Sequence, residues 1–188
     1  ILMEKGFYAE AKNYILYRWQ RTERRKAVVA IIERLGDEGI ATVLRDIQHD
    51  FKVEEYSVIR LAEKFAGFCK SDMKASEKLA ALIKAAVELT TQEAPDWEFI
   101  AARLLNYELG IIVKREEDAV GITSFYEKLR YLTEEELYGS YILANYSREE
   151  IAEAATFICP ERDKLFNYSG LDLLMKRYLI RTRLFGIL

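Results

Sequence analysis

The feature that most constrains the fold is the spacing of apolar residues, which recur every three or four positions along most of the chain. Ile40, Leu44, Ile47 and Phe51 show the pattern, while the polar residues between them fall on the opposite face of a helix. The 188 residues include only 9 glycines and 2 prolines, too few turn-forming residues for a many-stranded sandwich or barrel. The sequence therefore predicts an all-α fold of about nine packed helices.

Several residues mark the expected helix ends. Gly36 and Gly39 separate a long first helix, from Phe7 to about Leu35, from the second helix, and Pro95 is expected at the start of a later one. Four Ser or Thr residues stand three positions before an acid, which is the spacing of a capping box. The four pairs are Ser124–Glu127, Thr133–Glu136, Ser147–Glu150 and Ser169–Asp172. We expect the last three to begin helices and interpret the first as an accidental match inside a helix.

Composition excludes several classes of protein. The 28 Lys and Arg residues nearly balance the 31 Asp and Glu residues, so no overall field attracts nucleic acid or an anionic membrane. The longest apolar runs fall far short of the roughly 20 residues that span a bilayer. The two cysteines cannot form a disulfide framework, and unpaired thiols favour a reducing, cytoplasmic location.

Few residues offer catalytic or metal-binding chemistry. His49 is the only histidine, so we expect no metal site and interpret His49 as a surface residue of a helix. Cys69 follows the apolar positions Phe65 and Phe68 and is interpreted as a core residue. Cys159 precedes Pro160 at an expected helix end, with no second cysteine close in sequence. We assign no catalytic residue.

The first helix carries a group of cations whose spacings of three and four place them on one face. They are Arg18, Arg21, Arg24, Arg25 and Lys26, beside the aromatic residues Tyr14, Tyr17 and Trp19. Such a stripe can hold phosphate groups. It can equally be a solvated face that pairs with Glu23 and neighbouring acids, or part of a nucleic-acid groove.

Three segments carry a family resemblance. Ala11–Arg18, followed by Arg21 and Arg25, resembles the closing helix of an ATP-cone, the regulatory nucleotide module of ribonucleotide reductases. Leu89–Leu104 resembles the segment before the catalytic barrel in the large (alpha) subunit of class I ribonucleotide reductase. Glu161–Leu171, with Arg177–Arg181, resembles the last helices of that subunit's N-terminal domain.

The resemblance implies a parent enzyme that reduces ribonucleoside diphosphates to deoxyribonucleotides for DNA synthesis. Its radical chemistry takes place on an α/β barrel that this chain lacks, so the fragment is expected to be inactive and to hold no cofactor. The parent would use ATP, dATP and other nucleotides as effectors and a radical from a small partner subunit. The missing barrel and other large subunits would be further partners, and nucleic acid and membrane would not.

The resemblance also divides the chain into expected regions. Residues 1–35 would be the closing helix of a truncated ATP-cone with its connector, and residues 36–115 a degenerate cone-like helical unit kept for packing. Residues 116–183 would form the helical N-terminal domain, and residues 184–188 the start of the connection to the missing barrel. Apolar surface meant for that barrel is expected in the segment Tyr168–Ile187.

Two functions follow from different parts of this likeness. The first is a noncatalytic fragment that supports the barrel and couples allosteric and oligomeric state. The alternative is an ATP- or dATP-binding regulatory module, in which Arg18 and Arg21 face the nucleotide phosphates. A helical nucleic-acid-binding or interaction domain is a second alternative, based on the cation stripe alone.

Overall fold

The chain is helical throughout the part that the structure describes. A computed structural model describes the backbone of residues 2–179 and the side chains of residues 16–179. Within this range nine α-helices and one 3-10 helix follow one another, and no β-strand is present, which confirms the predicted all-α fold. The helices are α1 (Leu2–Leu35), α2 (Ile40–Asp50), α3 (Val58–Phe68), α4 (Ala75–Val87), α5 (Trp97–Val120), α6 (Phe125–Glu134), α7 (Tyr141–Asn145), α8 (Arg148–Ala155), the 3-10 helix (Pro160–Leu165) and α9 (Tyr168–Arg177).

Contacts between Cα atoms divide the chain into two compact units. Unit 1 comprises residues 1–101 and unit 2 comprises residues 102–188. The predicted regions 1–35, 36–115 and 116–183 stay a prediction. The predicted connecting segment 184–188 lies outside the described residues.

The core of unit 1 forms where α3 packs against α1 and α4. Leu61 and Phe65 of α3 are completely buried, as are Ile31 of α1 and Leu82 of α4. Two residues four positions apart on α3 share one face of the helix, so the repeat seen in the sequence becomes a continuous buried stripe. Burial of these side chains supplies the main driving force for folding unit 1.

A cluster of aromatic side chains holds the connection between α4 and α5. The ring of Tyr56 lies edge-on to the rings of Phe51 and Trp97, with centroids 5.7 Å and 5.9 Å away. Its hydroxyl accepts a 3.3 Å hydrogen bond from the backbone N–H of Asp96. Burial raises the pKa of Tyr56, which keeps its hydroxyl neutral. α5 begins at Trp97, so Pro95 stands at a helix start as predicted.

The structure confirms several predicted helix ends. α1 ends at Leu35, and Gly36 follows with a φ of 74°, a left-handed conformation that favours glycine. Ser147 caps α8: its hydroxyl accepts from the backbone N–H of Glu150, and the Glu150 carboxylate accepts from the backbone N–H of Ser147. This reciprocal pair is the predicted capping box.

Three of the four interpretations of these Ser and Thr residues are wrong. Ser124 is a true N-cap of α6, since its hydroxyl accepts from the backbone N–H of Glu127. Thr133 lies inside α6 instead of beginning a helix, and its hydroxyl donates to the carbonyl of Leu129. The acids that follow Thr133 therefore lie at a helix end, and Glu136 has a φ of 58°.

The third wrong prediction concerns the N-cap of α9. Ser169 lies within this helix, and the N-cap is Asn167, whose side-chain oxygen accepts from the backbone N–H of Gly170. Asn and Ser are both good caps, so two candidates two positions apart compete for the same free N–H groups. The spacing to a following acid does not show which of them precedes the first helical turn.

We expect Ser147→Ala to lower the free energy of unfolding of unit 2 by about 1 kcal/mol, the usual value of an N-cap hydroxyl. The matched control is Ser140→Ala, because Ser140 is the N-cap of α7 but accepts no capping hydrogen bond. Urea unfolding followed by circular dichroism measures both variants. Equal losses for the two substitutions would contradict the capping account.

Candidate functional site

Three arginines of α1 form what we call the arginine face. Arg18, Arg21 and Arg25 are exposed, and at about 100° of rotation per residue they lie within about 60° of one another around the helix axis. They lie roughly opposite Ala27, which is buried in unit 1. The structure thus brings the two predicted phosphate-binding residues, Arg18 and Arg21, onto one solvent-exposed surface.

The surroundings of the arginine face are aromatic as well as charged. Trp19 is 59% exposed and Tyr17 is 56% exposed. Lys26 forms a 2.9 Å ion pair with Glu23, which confirms the predicted pairing with this acid. Arg18 and Arg21 lie on a single helix. Two guanidinium groups on one helix can contact a phosphate from one side but do not enclose it.

The other chemical residues singled out from the sequence belong to or adjoin other helices. His49 is a surface residue in the last turn of α2, as predicted, with its Nδ1 atom 2.8 Å from the carboxylate of Asp50. Cys69 is only half-buried, because it is the C-cap of α3 instead of a member of the core. Cys159 is exposed and precedes the 3-10 helix.

Unit 2 contains an open apolar groove between α6, α7 and α8, which we call the unit 2 groove. Its volume is about 620 Å³. The residues that line it are Phe125, Leu129, Leu137, Tyr138, Gly139, Tyr141, Ile142, Tyr146, Glu150, Ile151 and Ala154. Sequence reasoning missed this groove, because Leu137, Tyr138 and Gly139 join the helical lining residues through the irregular stretch after α6, where helical periodicity carries no information.

One buried acid of unit 2 was also missed. Glu116 of α5 is 3% exposed, and neither carboxylate oxygen has a hydrogen-bond partner among the described residues. In the sequence it stands in the charged run Lys114–Asp118, which is typical of a solvated helix face. The carboxylate of the neighbouring Glu117 has a partner, because it forms a 2.8 Å ion pair with Lys128.

The negative charge of Glu116 is one of three causes that raise the pKa of the Tyr131 hydroxyl. Burial, followed by the negative charges of Glu135 and Glu116, raises the pKa of Tyr131. An acid of this kind is costly to bury without compensation. Glu116 belongs to none of the sites predicted from the sequence.

The part of the chain that the structure describes holds neither a cluster of metal ligands nor a membrane-spanning helix. No cluster of three or more His, Cys, Asp or Glu side chains there could hold a metal ion. None of the helices there is both long enough and apolar enough to cross a membrane.

Comparison with known proteins identifies relatives of one kind. The chain is 49% identical to the ribonucleoside-diphosphate reductase subunit alpha of Treponema pallidum over 93% of its own length, which is 21% of that protein. It is 31% identical to ribonucleoside-diphosphate reductase 1 subunit alpha of Escherichia coli over 61% of its length, and 30% identical to the subunit alpha of Enterobacteria phage T4 over 67%. No family model matches the chain.

These alignments agree with the resemblance carried by the three sequence segments. The chain spans about a fifth of the length of the Treponema relative and 15% of the E. coli relative, and the matched part is the N-terminal region. The chain therefore belongs to the family of ribonucleoside-diphosphate reductase alpha subunits, as a counterpart of their N-terminal region.

Proposed function

We propose that this chain is a noncatalytic segment of a ribonucleoside-diphosphate reductase alpha subunit, and that it supports the catalytic part and couples it to allosteric and oligomeric state. The observation that carries the proposal is a concentration of exposed apolar side chains between the end of α8 and the end of α9, which we call the apolar patch. Its members are Phe157, Ile158, Leu165, Phe166, Leu173 and Tyr178.

The side chains of the apolar patch are more exposed than is usual for large apolar residues of a monomeric protein. Phe157 is 80% exposed, Leu165 is 76% exposed and Tyr178 is 70% exposed. Large exposed apolar side chains that are concentrated in one stretch of the chain are typical of an interaction surface. The patch overlaps the predicted segment Tyr168–Ile187 and begins earlier, at Phe157, while residues 180–187 lie outside the described residues. We assign the patch to contact with the rest of the alpha subunit.

The rest of the proposal follows from the relatives. An alpha subunit of this kind would reduce ribonucleoside diphosphates to deoxyribonucleotides, with its radical chemistry in the part that the chain does not match. Other alpha subunits and a radical-generating small subunit would be its partners, and nucleotides such as ATP and dATP its effectors. Two free cysteines and the family together support a cytoplasmic location.

We expect the chain to bind the remainder of the Treponema pallidum alpha subunit when the latter is produced as a separate polypeptide. Phe157→Glu combined with Leu165→Glu should weaken this binding by about tenfold or more, because charges would replace apolar anchors at the contact. Isothermal calorimetry or light scattering measures the association.

The control for this experiment is Val29→Glu, since Val29 is 49% exposed but lies on α1, outside the patch. It should leave the affinity unchanged. If the two patch substitutions leave the affinity unchanged as well, or if Val29→Glu lowers it equally, the assignment of the patch is wrong.

A second candidate function, ATP or dATP binding, is supported by the arginine face. Arg18 and Arg21 are exposed residues on neighbouring turns of α1, close in sequence to the exposed rings of Tyr17 and Trp19. A single helix, however, supplies cations from only one side of a phosphate chain. We therefore expect any such binding by this chain to be weak.

Calorimetry with ATP and with dATP tests this expectation. We expect a dissociation constant no tighter than about 1 mM, which corresponds to roughly 4 kcal/mol of binding free energy. A micromolar site that is lost on Arg21→Ala would show that the chain is a nucleotide sensor. Arg45→Ala, which changes an exposed cation on α2, is the matched control.

A further inference from the structure

We draw no further inference here: the strongest candidate, the open apolar groove between α6, α7 and α8 of unit 2, has no occupant that the charges or contacts of the described residues identify, so nothing in the structure shows what covers it.

Discussion

Burial of α3 between α1 and α4 is the interaction on which unit 1 depends. Phe65 and Leu61 are completely buried there, and removal of a buried phenylalanine typically costs about 3–5 kcal/mol. That is a large part of the roughly 5–15 kcal/mol that stabilises a whole domain. Trp97 and Tyr56 extend the same core to the start of α5. A buried core of this kind gives unit 1 a defined arrangement of its helices.

The surfaces to which we assign functions lie where apolar burial within each unit stops. α1 buries Ala27 and Ile31 near its end, but the stretch around Trp19 is exposed, and there the arginine face begins. In unit 2 the apolar patch and the unit 2 groove expose aromatic side chains that a self-sufficient domain would bury. The chain matches only 21% of its Treponema relative, and a segment of a larger enzyme is expected to keep such surfaces for its neighbours.

How much the sequence could predict depended on how regular each region is. Helices with a steady apolar repeat were predicted well, as the buried residues Ile40, Leu44 and Ile47 of α2 show. Helix ends were harder to predict, because spacing to an acid does not identify the cap. Thr133 lies inside α6, where its hydroxyl donates to the carbonyl of Leu129, and Asn167 caps α9 in place of Ser169. The groove was not predictable, because residues 135–146 bring Leu137 and Tyr141 together through turns that periodicity does not describe. Glu116 was missed because burial of a charged helix residue depends on tertiary packing.

The central claim is that this chain is a folded, noncatalytic part of an alpha subunit whose exposed apolar side chains contact the rest of that subunit. Hydrogen exchange followed by mass spectrometry, with and without the remaining Treponema alpha subunit, tests it most directly. We predict that amide exchange between residues 157 and 178 slows by about tenfold or more on binding, while the already protected amides of α3 and α4 change little. Unchanged exchange between residues 157 and 178, with slowing confined to unit 1, would contradict the account.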